Sequence, residues 1–171
     1  MKYFSGFSLS EEEELFSDYF TPTDYTVVGF SYGAQKALEY AYNKKTRVDR
    51  LILLSPAFFQ TQKPSFIRTQ LRYFEAGQEA YIKQFLDNAT HPLKLNLKPY
   101  LKVGSKKELS YLLSYVWEEH KIKAILNRGT IVEVFIGEKD KIIESNEVLD
   151  FFKNLCTTYL IKNAGHILRT K

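Results

Sequence analysis

Two short apolar runs lie on either side of one helix-length of chain. Tyr25-Thr26-Val27-Val28 comes first, and Val48-Asp49-Arg50-Leu51-Ile52-Leu53-Leu54 second. Between them, residues 33–43 place Ala34, Ala37, Leu38 and Ala41 along one helical stripe. A strand, a packed helix and a second strand in this order join parallel neighbours through a right-handed crossover. The alternation returns later: residues 130–136 read as a strand, about 144–154 as a helix and 156–161 as a last strand. Residues 1–4 form a short extended stretch before Ser5-Gly6-Phe7. The pattern predicts an α/β fold around a parallel sheet of roughly five strands.

Two segments depart from this alternation. Ser8 or Ser10 is placed to cap a helix, with Glu11 or Glu13 closing a capping box three residues on. The run Glu11-Glu12-Glu13-Glu14 suits the positive end of that helix, which is expected to reach about Phe20 before Thr21-Pro22-Thr23-Asp24 breaks it. Residues 60–128 carry apolar side chains at helical spacing, in Phe66, Ile67, Leu71 and Phe74 and again in Tyr81, Ile82, Phe85 and Leu86. Breaks fall near His91-Pro92, Pro99 and Gly104, and a last helix is expected over residues 106–121. This segment reads as a helical cap inserted into the sheet domain. The expected division is therefore 1–59 with 129–171 as core and 60–128 as cap.

Composition narrows the chemistry. The single cysteine, Cys156, excludes an internal disulfide and a cysteine-based zinc site, and no metal or other cofactor is expected. No stretch approaches the roughly 18 apolar residues of a membrane span, and the N-terminus turns acidic at once, unlike a signal peptide. The expected compartment is the cytoplasm. Charge is unevenly spread: residues 60–128 carry 12 Lys/Arg and 6 Asp/Glu, a net of +6, against −2 for the remainder. A basic cap on a slightly acidic body attracts an anionic partner. The basic residues form no recognisable nucleic-acid reader, so nucleic acid is not an expected partner, and with no membrane span indicated neither is a membrane.

Within the first alternation lies Gly29-Phe30-Ser31-Tyr32-Gly33, a G-x-S-x-G pattern at a strand-to-helix turn. A serine hydroxyl becomes a nucleophile only with a base in reach, and the base needs an orienting acid. Of the three histidines, His91 precedes a proline inside the cap and His120 sits among charges near the end of the expected last cap helix. Both read as surface residues. His166 follows the last strand, and Asp140 follows the strand at 130–136. Both therefore fall at the carboxyl edge of the sheet, where Ser31 also lies and where α/β proteins collect their functional groups. Glu138 is a weaker candidate for the acid. The order Ser31, Asp140, His166 is that of the nucleophile-elbow hydrolases. An oxyanion needs two donors, and the backbone N–H groups of Tyr32 and of Phe7, after the first strand, are the candidates.

The segments GFSYGA, GEKD and NAGH, in this order and context, resemble the α/β-hydrolase superfamily over most of residues 1–59 and 129–166. The resemblance implies that 60–128 is the helical lid. It also implies that the family's first, second and fourth strands are missing. Those three lie together at one edge of the family's sheet, so a contiguous five-stranded core remains, in family order 3-5-6-7-8, with an exposed edge strand at residues 2–5.

A narrower similarity is to the pimeloyl-acyl-carrier-protein methyl ester esterases of biotin synthesis, in particular their short BioV type. This implies a carboxylesterase that hydrolyses the methyl ester of pimeloyl-acyl carrier protein, with the acyl carrier protein carrying the methyl-pimeloyl chain as partner. Arg68, Arg72, Lys102, Lys106 and Lys107, with Lys63, are then candidates for substrate or carrier-protein binding. Phe58, Phe59, Phe74, Tyr81, Tyr111 and Trp117 are candidates to line an acyl channel. Rival readings are an acyl thioesterase, a general carboxylesterase, or an inactive hydrolase-like binding module.

Overall fold

The computed structural model describes residues 1–44 and 46–170 of the chain. Its five strands, β1 (Lys2–Phe4), β2 (Thr26–Phe30), β3 (Arg50–Leu54), β4 (Ile131–Gly137) and β5 (Thr157–Ile161), form one sheet in chain order. Every neighbouring pair is parallel. The expected five-stranded parallel core is thus present. Central strands of a parallel sheet are covered on both faces, and β2 is buried at every position while β3 is buried at all but the first. The edge strand β1 pairs only with β2. Its Lys2 ammonium sits 4.6 Å from the Tyr40 ring centroid, and a charged edge is one that resists pairing with another chain.

Helix α1 (Tyr32–Asn43) makes the crossover from β2 to β3, and Ala34, Ala37, Leu38 and Ala41 all face inward as their spacing predicts. Small side chains there let the helix lie close to the sheet. A Cβ on Gly33 would sit 1.8 Å from the Phe4 carbonyl oxygen, so only glycine lets α1 start against the end of β1. Helix α6 (Ser145–Phe152) connects β4 to β5 and packs on the same face of the sheet, its Val148 and Phe152 sharing one core with Ala34, Ala37 and Leu38 of α1.

Residues 60–128, expected as a cap, contain α2 (Pro64–Ala76), α3 (Gln78–Thr90) and α4 (Lys106–Ser114), with α2 packed on both α3 and α4. Helix α4 opens with a capping box between Ser105 and Glu108. The single helix expected over 106–121 is instead two. Residues 115–118 leave helical geometry, because Trp117 turns inward: it is 2% exposed and its Nε1–H donates to the Ala57 carbonyl at 2.9 Å. Helix α5 (Glu119–Asn127) then packs on α1 and β4 and carries the crossover into β4. His120 accordingly lies in the first turn of α5 and not at the C-terminal end of a longer helix.

The expected helix in the acidic N-terminal region is a 3-10 segment, Glu13–Tyr19, with neither serine as its cap. Phe16 is fully buried with its ring tilted against Phe30 at 4.5 Å between centroids, while the Arg169 Nε–H donates to the Leu15 carbonyl. Docking of Phe16 fixes this short segment, where an isolated helix of its length has little stability of its own.

Candidate active site

Ser31 stands between β2 and α1 with φ 53° and ψ −114°, a backbone conformation that side-chain-bearing residues rarely adopt. Hydrogen bonds hold it there from both sides. Its N–H donates to the Leu54 carbonyl at 2.9 Å, and its own carbonyl accepts from Ala34 and Ala57 at 3.0 and 3.2 Å. The turn lifts the hydroxyl clear of the sheet at its carboxyl edge, the geometry of a nucleophile elbow.

The three residues expected to meet do so. Ser31 Oγ is 2.8 Å from His166 Nε2, and His166 Nδ1 is 2.6 Å from Asp140 Oδ2. The imidazole and the Asp140 carboxyl are both fully buried. A carboxylate only accepts, so Nδ1 carries the proton and Nε2 is left to accept from the serine. Asp140 is oriented by its other oxygen, which accepts the N–H groups of Ile142 at 2.7 Å and Ile143 at 3.2 Å. Glu138, the weaker candidate acid, instead accepts the Asn163 N–H at 3.0 Å and steadies the turn that leads to His166. Of the other histidines, His120 is exposed, and His91 is half-buried with its carbonyl against Gly165.

Residues that sequence reasoning missed hold this relay in place. Ser55, which follows β3, is fully buried, and its Oγ–H donates to the His166 carbonyl at 2.7 Å. Buried Gln35 donates to the carbonyls of Ala57 and Leu112 at 3.0 Å each, and so ties the start of α1 to α4. A polar residue one helical turn after the nucleophile was the available signal for Gln35. Nothing local distinguished Ser55 from an ordinary Ser-Pro strand end.

Of the candidate oxyanion donors, Tyr32 directly follows the nucleophile. Tyr32 opens α1, so its N–H is among those a helix leaves without an internal partner. The loop holding Phe7 abuts the same turn: a Cβ on Gly33 would approach the Ser5 carbonyl oxygen to 2.7 Å. Among the described residues, the Phe7 N–H has no acceptor.

A cavity of about 460 Å³ opens over Ser31. Phe58, Phe59 and Tyr81 line it as expected, together with Phe66, Phe85 and the amides of Gln62, Gln70, Gln84 and Asn88. Three expected aromatics do not. Phe74 is buried between Phe7 and Tyr81, Trp117 packs on Phe152 within the core, and Tyr111 faces solvent. Arg68 and Arg72 on α2, Lys106 and Lys107 on α4, and Lys102 in the preceding loop are all exposed, as is Lys63. Lys106 is ion-paired with Glu75. Among the described residues there is no cluster of groups fit to hold a metal ion, and no helix is long and apolar enough to cross a membrane.

No protein-family model and no curated protein matches the sequence. Solved structures do match the fold. MenH from S. aureus aligns with a TM-score of 0.63 at 17% identity, over 96% of this chain and 85% of its own. Bromoperoxidase from Bacillus anthracis aligns with a TM-score of 0.66 at 15% identity, over 84% and 60%. Naproxen esterase (carboxylesterase NP) from Bacillus subtilis aligns with a TM-score of 0.56 at 16% identity, over 84% and 53%, so the chain spans about half the length of that structure. The parallel sheet in this strand order, the turn at Ser31 and these likenesses together give the chain the α/β-hydrolase fold.

Proposed function

We propose that the chain is a serine carboxylesterase, and that its substrate is the methyl ester of pimeloyl-acyl carrier protein in biotin synthesis. The observation that carries the esterase reading is the unbroken run of hydrogen bonds from Ser31 Oγ through His166 to Asp140, at 2.8 and 2.6 Å. Esterases among the proteins of similar fold support it. The narrower substrate rests on the resemblance of the sequence, and two features are compatible with it. The cavity over Ser31 has an aromatic lining suited to an aliphatic chain. The net +6 of residues 60–128 suits a strongly acidic carrier protein, with Arg68, Arg72, Lys102, Lys106 and Lys107 exposed to meet it.

In this reading His166 takes the Ser31 proton as Oγ attacks the ester carbonyl, and Asp140 stabilises the imidazolium. The N–H groups of Tyr32 and Phe7 hold the tetrahedral oxyanion. His166 returns the proton to the departing methoxide, which leaves as methanol. Water, activated by the same imidazole, then attacks the acyl-enzyme and frees the carboxylate. The thioester to the carrier is spared because only the far end of the chain reaches Ser31.

The test is incubation of purified protein with methyl-pimeloyl-acyl carrier protein, following methanol and thioester separately. Methanol release with the thioester intact, absent in Ser31→Ala, is the expected result. Loss of the thioester with the ester intact would replace the reading with a thioesterase. No Ser31-dependent reaction with this or a small ester would leave a binding module.

A further inference from the structure

Four glutamates in a row, Glu11 to Glu14, look interchangeable in the sequence, yet one of them is wholly buried. Glu12 is 0% exposed, whereas Glu11 and Glu14 face solvent and Glu13 is half-buried. Its Oε1 accepts the Gly6 N–H at 2.8 Å and the Tyr3 hydroxyl at 3.3 Å. Among the described residues, its buried Oε2 has no partner. Burying a carboxyl is costly, so a stabilising role alone accounts poorly for it. Burial pushes its pKa above the ordinary carboxyl range, against the opposing pull of the Gly6 N–H.

What Glu12 holds is the loop that carries a candidate oxyanion donor. Gly6 is the most permissive residue in that loop and, left to itself, would rotate freely about both backbone bonds. Here both of its peptide planes are pinned. Glu12 fixes the Gly6 N–H from one side, and the Gly6 carbonyl accepts the Leu9 N–H at 3.3 Å on the other. In a trans peptide the N–H points opposite to the carbonyl. With the Gly6 carbonyl committed to Leu9, the Phe7 N–H of the same plane points the other way, unpaired. The Phe30 ring closes the remaining space, since a Cβ on Gly6 would lie 2.8 Å from it.

We propose that Glu12 is a positioning residue for the oxyanion hole: by accepting the Gly6 N–H, it locks the rotation of the Ser5-Gly6-Phe7 loop that aims the Phe7 N–H at the reacting carbonyl oxygen. The inference rests on the reading of Ser31 as nucleophile. It adds a residue, outside the triad and its donors, on which transition-state binding depends.

The test compares Glu12→Met, which keeps the length but removes the acceptor, with Glu12→Gln, which keeps an acceptor oxygen. A short-chain p-nitrophenyl ester is the substrate, with Ser31→Ala as control. An oxyanion contact acts in the transition state more than in the ground state, so Glu12→Met is expected to lose at least about tenfold in kcat with KM within about threefold. Glu12→Gln should recover most of that loss. Affinity for an alkylboronic acid, whose tetrahedral adduct places an oxygen in the hole, should fall in parallel with kcat. A kcat for Glu12→Met within about twofold of the parent, or equal losses in both variants, overturns the proposal.

Hydrogen exchange at the Gly6 amide reads the anchoring without any turnover. It should be slow in the parent and in Glu12→Gln, and faster by at least about tenfold in Glu12→Met. Unchanged exchange in Glu12→Met overturns the proposal even if the parent hydrolyses no ester. A parent that is inactive while the exchange behaves as expected overturns the esterase reading instead.

Discussion

Replacing Ser31 by glycine and by alanine separates backbone strain from side-chain chemistry. Both variants lose the hydroxyl and its 2.8 Å hydrogen bond to His166, so that loss cancels in the comparison. The backbone does not cancel. At φ 53° and ψ −114° a residue with a Cβ pays strain on the order of 1–3 kcal/mol, and glycine pays almost none. Against this, glycine gives the unfolded chain extra freedom worth about 0.4–1 kcal/mol in the opposite sense. The net is about 1 kcal/mol in favour of glycine, which reverses the usual order of the two residues. For a chain of this size that is a melting temperature about 2–4 °C higher for Ser31→Gly than for Ser31→Ala. Thermal melts followed by circular dichroism, paired with urea titrations of the same two proteins, give the measurement. Neither variant should hydrolyse an ester. If Ser31→Ala melts at the same temperature or higher, the turn is not strained, and the account of Ser31 as an elbow held by its flanking hydrogen bonds fails.

Asp140→Asn presents an amide to His166 Nδ1 and favours the wrong tautomer. Its kcat on a small ester should fall by roughly 10³–10⁴-fold, and a loss under tenfold would exclude Asp140 as the orienting acid. Ser55→Ala strips the buried His166 carbonyl of its 2.7 Å donor and should cost about 1–3 kcal/mol in urea unfolding; an unchanged midpoint and slope would count against that role. Burial pushes the Cys156 thiol up to about 11, so it should resist an aromatic disulfide reagent at pH 8 in the folded protein and react once unfolded. Because the folded pKa is the higher one, Cys156 supports folding fully at pH values below the ordinary thiol range. That support is lost as pH rises through about 11, so the melting temperature of the parent should decline over this interval more than that of Cys156→Ser.

Much of the sheet and the triad was legible in the sequence because both depend on local patterns and chain order. Continuous apolar runs mark β2 and β3, and the small-residue stripe marks α1, since strands buried on both faces and a close-packed helix accept little else. Ser31, Asp140 and His166 each follow a strand, and a parallel sheet brings every such position to one edge. Residues 60–128 were less legible. The break at 115–118 depends on where the Trp117 ring finds room and a carbonyl partner 60 residues away, which no helical periodicity encodes. Phe58 and Tyr81 line the cavity while Phe74 and Tyr111 do not, a sorting made by helix packing among residues of similar character.

The sequence by itself determined the parallel α/β core, the strained turn at Gly29-Phe30-Ser31-Tyr32-Gly33, and which three side chains could form a relay. Each follows from periodicity, glycine placement and order along the chain. Tertiary structure alone decided that one glutamate of four turns inward to grip Gly6, and that Ser55 holds His166 from behind. Burial is a property of surroundings: Glu11, Glu12, Glu13 and Glu14 share one chemistry, and only docking of Phe16 against Phe30 fixes which of them meets the loop beside the nucleophile.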